Sequence, residues 1–585
     1  MLKLIKFLKP FRWGIVFIVL LLLGQAMAEL YLPTLMARIV NEGIVEPLVM
    51  ETGSRTYFIL QTGLFMLFIA LLAGSASILV GYLSPRIAAG AARDLRRELF
   101  TKVENFSQTE FDKFSSASLI TRCTNDVSQV QGLANIFARM LLYAPLMGMG
   151  GITMALTRSV HLSWIIALAV VVLLGLVAII VSIVMPKFKL IQELTDRLNK
   201  IAREILHGLL VIRAFGTQKH EKQRFDGANT DLKDLSLFIG RVMAIVGPAI
   251  TFILGGTQIL VIWFGAHQVA ALNMQIGDMM AFMQYSMQVI FAFMMISMVL
   301  VMLPRAQVSA ARIVEVLDTD LTITDPAHPV SFQKDAKAFV VFDNVSFRYP
   351  NAEADALENI NFTAEPGQTT AIIGATGSGK STLVQLILRL YDVTGGAVSV
   401  NGTDIRHVTQ SELRSKIGYV PQKGQLLSGT IKSNIAYGKP EATDEEIAKV
   451  AEIAQALDFI TEKEETYDFE ISQGGTNVSG GQRQRLSIAR ALAKEPEILI
   501  FDDSFSALDF QTDTKLRKAL KQHTGDATVI VVAQRIGTIM NAEQIIVLEQ
   551  GKIAGRGTHE ELLKTCPAYL EIATSQGLAE VQHVE

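Results

Sequence analysis

The chain has 585 residues, 50% hydrophobic and only 19% charged, with a mean hydropathy of +0.34. Soluble globular chains carry about 25% charged residues, so charge is scarce and its distribution has to be located. A formal net charge of −3 supplies no basic excess and excludes nucleic acid as a principal partner, while two cysteines exclude a disulfide framework.

The apolar residues are concentrated. Trp13 to Ala28, Tyr57 to Pro85, Met140 to Thr157, Leu162 to Pro186, Val242 to Gly277 and Met279 to Pro304 contain no Asp, Glu, Lys or Arg. A bilayer core of about 30 Å needs roughly 20 helical residues, so these runs predict six transmembrane helices. The first run is too long for a cleaved signal peptide and lacks a small-residue cleavage site.

Loop charge orients the spans. Lys3, Lys6, Lys9 and Arg12 keep the start inside, and Glu42, Glu46 and Glu51 put the first connection outside. The stretch from Arg86 to about Gln131 carries Arg93, Arg96, Arg97, Lys102, Lys113 and Arg122, and Lys187 to Leu237 is similarly basic. Both are inside, which predicts a multi-pass protein of the cell membrane with both termini cytoplasmic. Cys123 and Cys566 then face a reducing compartment as free thiols. The two inner connections, about 50 residues each, exceed ordinary helix–helix loops. Their helical patterning predicts stalks that continue the membrane helices.

After Pro304 the texture changes. Residues 1–318 read as the membrane domain, 319–338 as a polar linker, and 339–585 as an α/β domain in which short β-rich runs alternate with helical patterns. There Gly374-Ala-Thr376-Gly377-Ser378-Gly379-Lys380-Ser381-Thr382 follows an apolar strand and precedes a helix. This is a P-loop in its required context: backbone N–H groups cradle phosphate oxygens, Lys380 reaches the β- and γ-phosphates, and Ser381 ligates Mg²⁺. Ile498-Leu-Ile-Phe-Asp502 is a second apolar strand ending in the carboxylate expected on the Mg²⁺ side. ATP and Mg²⁺ are therefore the expected cofactors.

Between these motifs lies Asn477-Val-Ser479-Gly480-Gly481-Gln482, and here the chain resembles the ATP-binding cassette (ABC) transporter family over nearly its whole length. The resemblance implies that Ser479 to Gln482 open a helix whose N-terminus holds the γ-phosphate of ATP on the opposite subunit. It also implies that Tyr349 stacks on adenine, that Gln422 touches Mg²⁺ and faces the membrane domain, and that Asp509, in Ser506-Ala-Leu-Asp509, lies on the loop that crosses between subunits. Asp112 to Arg122 and Gly208 to Phe215 resemble the two coupling loops of ABC exporters, which implies an exporter rather than an importer. One P-loop and one signature per chain imply a dimer.

Three positions depart from the family pattern. The residue after Asp502 is Asp503 where the family has a Glu general base, and the switch position is Gln534 instead of His. Gln473 replaces an acidic residue before the signature. Glutamine cannot titrate, and Asp is one methylene shorter than Glu. These departures predict the degenerate half of a heterodimeric exporter, paired with a homologous subunit that carries Glu and His. The alternative within the class is a homodimer that hydrolyses slowly. An ATP-gated membrane regulator without pumping is the alternative from another class.

The expected cargo is hydrophobic or amphipathic, with multidrug efflux first and lipid or lipopeptide export second. Eight methionines between Met279 and Met302, among them Met283, Met287 and Met294, fit an adaptable apolar cavity. Glu29, inside the first span, is a candidate for attracting cationic compounds. Helix packing for the methionines, and an idle headgroup position for Glu29, are the plainer readings.

Overall fold

A computed structural model describes residues 2–45, 52–332 and 339–578. Glu46, Glu51 and the end of the linker lie outside these residues, as does the side chain of Met302. The chain forms two compact units, Met1–Glu104 with Ser116–Thr319, and Asn105–Ser115 with Asp320–Glu585.

The first unit is helical. Its long elements are α1 (Arg12–Arg38), α2 (Thr52–Glu104), and, after the short α3 (Gln108–Lys113) and α4 (Ser116–Thr121), α5 (Val127–Ile136) and α6 (Leu142–Arg158). Then come α7 (Ser163–His207), the short α8 (Leu209–Ala214), α9 (Gln218–Ala270) and α10 (Ile276–Leu317). Segment α3 belongs to the second unit. Five helical stretches among the described residues are long and apolar enough to cross a membrane: Lys3–Val45, Arg55–Glu104, Ser163–His207, Gln218–Ala270 and Ile276–Val299. The remaining run falls on α6, 17 residues long, which follows the π-helical turn Phe137–Leu141. Helices of 53 residues, such as α2 and α9, are about 80 Å long at 1.5 Å per residue. That is more than twice a bilayer core, so the apolar spans run on as polar helices, as their sequence predicts.

Between 11% and 39% of each apolar window is buried within the unit, and large side chains such as Phe65, Phe68 and Leu71 stay exposed. A water-soluble core would not leave them so. Small residues bring the helices together: a Cβ on Gly151 would lie 2.8 Å from Val289 Cγ2 on α10. Polar side chains inside the bundle pair with one another, as where Tyr285 Oη meets Thr34 Oγ1 at 2.7 Å and Arg158 pairs with Asp278 at 2.8 Å.

The second unit is α/β. Its strands are β1 (Val340–Phe347), β2 (Leu357–Ala364), β3 (Thr369–Gly374), β4 (Gly395–Val400), β5 (Thr403–Asp404) and β6 (Ile417–Val420). The series continues with β7 (Gly429–Thr430), β8 (Glu470–Ile471), β9 (Ile498–Asp502), β10 (Thr528–Val532), β11 (Gln544–Glu549) and β12 (Lys552–Gly557). The main sheet has the order β12-β11-β3-β10-β9-β6, parallel except for the β11–β12 hairpin, and a smaller sheet has the order β2-β1-β4-β5. Strand alternation divides the main sheet between two cores. Ile372, Ile498, Ile500, Ile530 and Ile546 point to one, and Ala371, Ile373, Leu499, Phe501 and Val547 to the other. Burial on both faces explains why these strands read as unbroken apolar runs. It also places the ends of β3 and β9, neighbours of β10 on either side, at one edge where polar side chains gather.

Candidate nucleotide site

The phosphate side is built by backbone. Strand β3 ends at Gly374, where a Cβ would lie 2.1 Å from the Leu548 carbonyl oxygen. Gly377 (φ 84°) and Gly379 (φ 99°) occupy the left-handed region, which turns the chain into the helix Lys380–Ile387 with its first N–H groups facing the loop. Lys380 Nζ donates to the Gly374 and Ala375 carbonyls, 2.8 Å each, which curls its ammonium over the loop. Burial pushes the Lys380 pKa down, and Asp503 and Asp502 oppose the shift. Ser378 is buried, and among the described residues its Oγ has no hydrogen-bond partner. Thr376, Gly377 and Ser378 line a groove of about 450 Å³ that is lined also by Glu571, Ile572 and Ser575 of the helix Pro567–Ser575. An orphaned hydroxyl, left-handed glycines and a half-buried ammonium fit a bound phosphate.

Asp502, at the end of β9, is 5% exposed and accepts from Ser381 Oγ at 3.1 Å. Burial pushes its carboxyl above the usual range; Ser381 and Lys380 oppose this and Asp503 adds to it. No group of three or more His, Cys, Asp or Glu side chains among the described residues would hold a metal unaided. Asp502 and Ser381 instead fit a Mg²⁺ ion whose remaining ligands come from phosphate and water. That ion would neutralise charge on the β- and γ-phosphates.

Asp503 has a left-handed backbone (φ 46°) and lies 8% exposed, its N–H bonded to the Val532 carbonyl on β10 at 3.0 Å. One of its carboxylate oxygens, Oδ2, accepts both the Gln534 amide at 2.6 Å and the Gln422 amide at 3.2 Å. The structure therefore brings Asp503, Gln534 and Gln422 together, with Gln422 on the carboxylate. A void of about 10 Å³ beside Asp503, Ser506 and Gln534 is at the lower limit for one water.

Tyr349 is half-buried; its hydroxyl shares a hydrogen bond with Thr382 Oγ1 (2.8 Å), and its ring packs edge-on to Tyr391 at 5.3 Å. Tyr391 has no motif to mark it, only its place four residues after the P-loop helix. Its hydroxyl donates to Asp112 Oδ2 on α3 at 2.6 Å. On the same segment Glu110 is buried and accepts from the N–H groups of Ser107 and Thr322. Burial works to raise the Glu110 pKa, but the hydrogen bonds from Ser107 and Thr322 together hold it below the usual range.

Ser479 caps the helix Gly480–Ala493 in a reciprocal box with Gln482: Ser479 Oγ accepts from Gln482 N–H, and Gln482 Oε1 from Ser479 N–H. Ser479 and Gly480 are exposed, and among the described residues no hydrogen bond joins Ser479, Gly480, Gly481 or Gln482 to the P-loop. Asp509 is exposed as well, capping the helix Phe510–His523 through Thr512, whose N–H and hydroxyl hold its carboxyl below the usual range.

The membrane candidates sit in the helical unit. Glu29 accepts from Tyr143 and from Gln25 (2.9 Å), Met287 Sδ accepts from Gln258 (2.9 Å), and Met283 and Met294 pack into different helix clusters. The first unit holds a cavity of about 310 Å³, and none of these four residues is among those lining it.

Residues 15–293 match the family described as the ABC transporter transmembrane region, and residues 357–506 match the ABC transporter family. An "uncharacterized ABC transporter ATP-binding protein" of Mycobacterium tuberculosis is 42% identical over 576 residues, 98% of this chain and 97% of that protein. A "probable multidrug resistance ABC transporter ATP-binding/permease protein" of Bacillus subtilis is 30% identical over 97% of this chain and 96% of its own length. The structure of a bacterial Atm1-family ABC exporter with ATP bound aligns with a TM-score of 0.79 at 25% identity, covering 97% of this chain and 99% of that one. With its helical membrane region and its P-loop domain on one polypeptide, the chain belongs to the ABC transporter family and has the exporter fold.

Proposed function

We propose that this chain is one subunit of an ATP-driven exporter that moves hydrophobic or amphipathic compounds out of the cell, with multidrug efflux as its role. Its own site holds ATP and hydrolyses it slowly, while its signature completes a competent site on a homologous partner that carries Glu and His. The observation that carries this reading is Asp503. Its carboxylate is short, and the two groups that orient it through one oxygen, the amides of Gln534 and Gln422, are neutral. A displacement of about 1 Å is worth roughly 100-fold in rate, and neither amide can exchange a proton with the base near neutral pH. The phosphate cradle beside it keeps all its parts, so binding and hydrolysis are separated within one site.

The exposed signature, unbonded to its own P-loop among the described residues, supports a site shared between two chains. Six spans are supported by the five long helices and by the helical run through α5 and α6. The basic inner stretches support cytoplasmic termini and the cell membrane. The bonds from Tyr391 and Thr322 to α3 support the reading of Asp112 to Arg122 as a coupling loop. The Bacillus relative's printed multidrug role supports the cargo class.

The test compares vanadate-sensitive ATPase of the purified chain alone with that of the complex isolated with its partner. The two-chain complex is expected to turn over at least tenfold faster; equal rates overturn the degenerate-site reading. ATP-dependent accumulation of a fluorescent amphiphile in inside-out vesicles separates a pump from an ATP-gated regulator, which would change conformation without accumulating it.

A further inference from the structure

The switch loop is held from behind by the last described helix. Gln576 closes the helix Pro567–Ser575, its own N–H bonded to the Ile572 and Ala573 carbonyls. Its side-chain amide then makes two bonds to one short stretch of backbone. Oε1 accepts from the Ile536 N–H, and Nε2 donates to the Gln534 carbonyl, both at 2.8 Å. Ile536 opens a four-residue helix, so its N–H has no partner within that helix. Gln534 and Ile536 flank Arg535, and the amide therefore fixes the peptide that follows Gln534 and the next one along, which holds the backbone on the C-terminal side of the Gln534 side chain. That side chain ends on Asp503 Oδ2 at 2.6 Å.

The helix behind Gln576 is itself anchored. Tyr569 and Ala573 are fully buried in the core, and Tyr569 Oη bonds His559 Nδ1 at 2.7 Å. Its outer face, with Glu571, Ile572 and Ser575, lines the groove along the P-loop. One rigid helix thus borders the phosphate cradle with one face and grips the switch loop with its end.

We propose that Gln576 is a positioning residue for hydrolysis: its bidentate clamp on the backbone of Gln534 and Ile536 aims the Gln534 amide at Asp503. The proposal rests on the reading of Gln534 and Asp503 as the hydrolytic corner. Gln576 touches neither of the two carboxylates, so its removal should slow the chemistry without weakening nucleotide binding.

The experiment uses the full-length transporter in lipid nanodiscs and reads this chain as its own band after photolabelling with 8-azido-ATP. An α-³²P label reports occupancy, and loss of a γ-³²P label reports hydrolysis at this chain's site. Gln576→Ala is expected to slow γ-label loss about fivefold, with α-label within twofold of the unaltered protein, which also shows that the domain is folded. In a Gln534→Ala background the same substitution should add less than 1.5-fold, because nothing is left to aim. If Gln576→Ala leaves γ-label loss unchanged while Gln534→Ala slows it, the clamp is wrong and the reading of the corner stands. A full fivefold effect persisting in the Gln534→Ala background also overturns the clamp, since it then acts through packing. If Gln534→Ala itself changes nothing, the reading of the corner falls and the clamp falls with it.

Discussion

On one side of the nucleotide site, Gly374 to Thr382 offers phosphate a row of backbone amides and one ammonium. On the other, Asp503 is met by two side-chain amides that carry no charge. The first side is made almost wholly from main chain, so its geometry follows from three glycines and a strand end and tolerates little variation. The second side is made from side chains on three separate loops, and a change of one methylene or one ring alters its chemistry without disturbing the fold. On the proposed reading, affinity and turnover rest on different parts of the same cleft.

The comparison breaks most easily at Lys380. Replacing it by Ala removes the charged donor and should lower α-labelled azido-ATP retention on this chain by roughly 100-fold, at about 1.5–3 kcal/mol per charged hydrogen bond. If retention survives, phosphate is not held on that side. Converting the other side, with Asp503→Glu and Gln534→His together, should raise hydrolysis at this site by roughly 10- to 100-fold while retention stays within about twofold. A parallel change in both quantities would show that the two sides are not separable.

Two smaller effects lie outside the comparison and sharpen it. Tyr391→Phe removes the donor to Asp112 and should lower vesicle transport per ATP hydrolysed by roughly threefold, with retention unchanged. Glu110 is held below its ordinary pKa in the fold, so its stabilising bonds to Ser107 and Thr322 are complete above about pH 4.5 and lost as pH falls below it. Glu110→Gln should therefore lower the melting temperature near neutral pH and flatten the acid limb of a thermal-stability profile, the two proteins converging below about pH 4.

The sequence made the parts legible where chemistry and local pattern coincide. Ile498–Asp502 and the P-loop could be read outright because a buried parallel strand is an apolar run and its end carries a charge. The five longest spans were legible from uncharged runs alone. Side-chain convergence was the hidden part: nothing in the spacing of Gln422, Asp503 and Gln534, each about 30 or 80 residues from the next, says that two amides share one oxygen. Tyr391 and Gln576 sit in no motif, and only the fold brings them to Asp112 and Gln534.

The left-handed backbone of Asp503 carries a further consequence. Among residues other than glycine, Asp and Asn enter that region most readily, since a short polar side chain bonds locally there. A longer acid at the same position gains reach toward the phosphate and loses conformational ease. A variant engineered for faster hydrolysis at 503 should for that reason melt slightly earlier than its parent, trading repose of the main chain for catalytic extension. Selection for a site that merely holds its nucleotide would then favour Asp on stability alone.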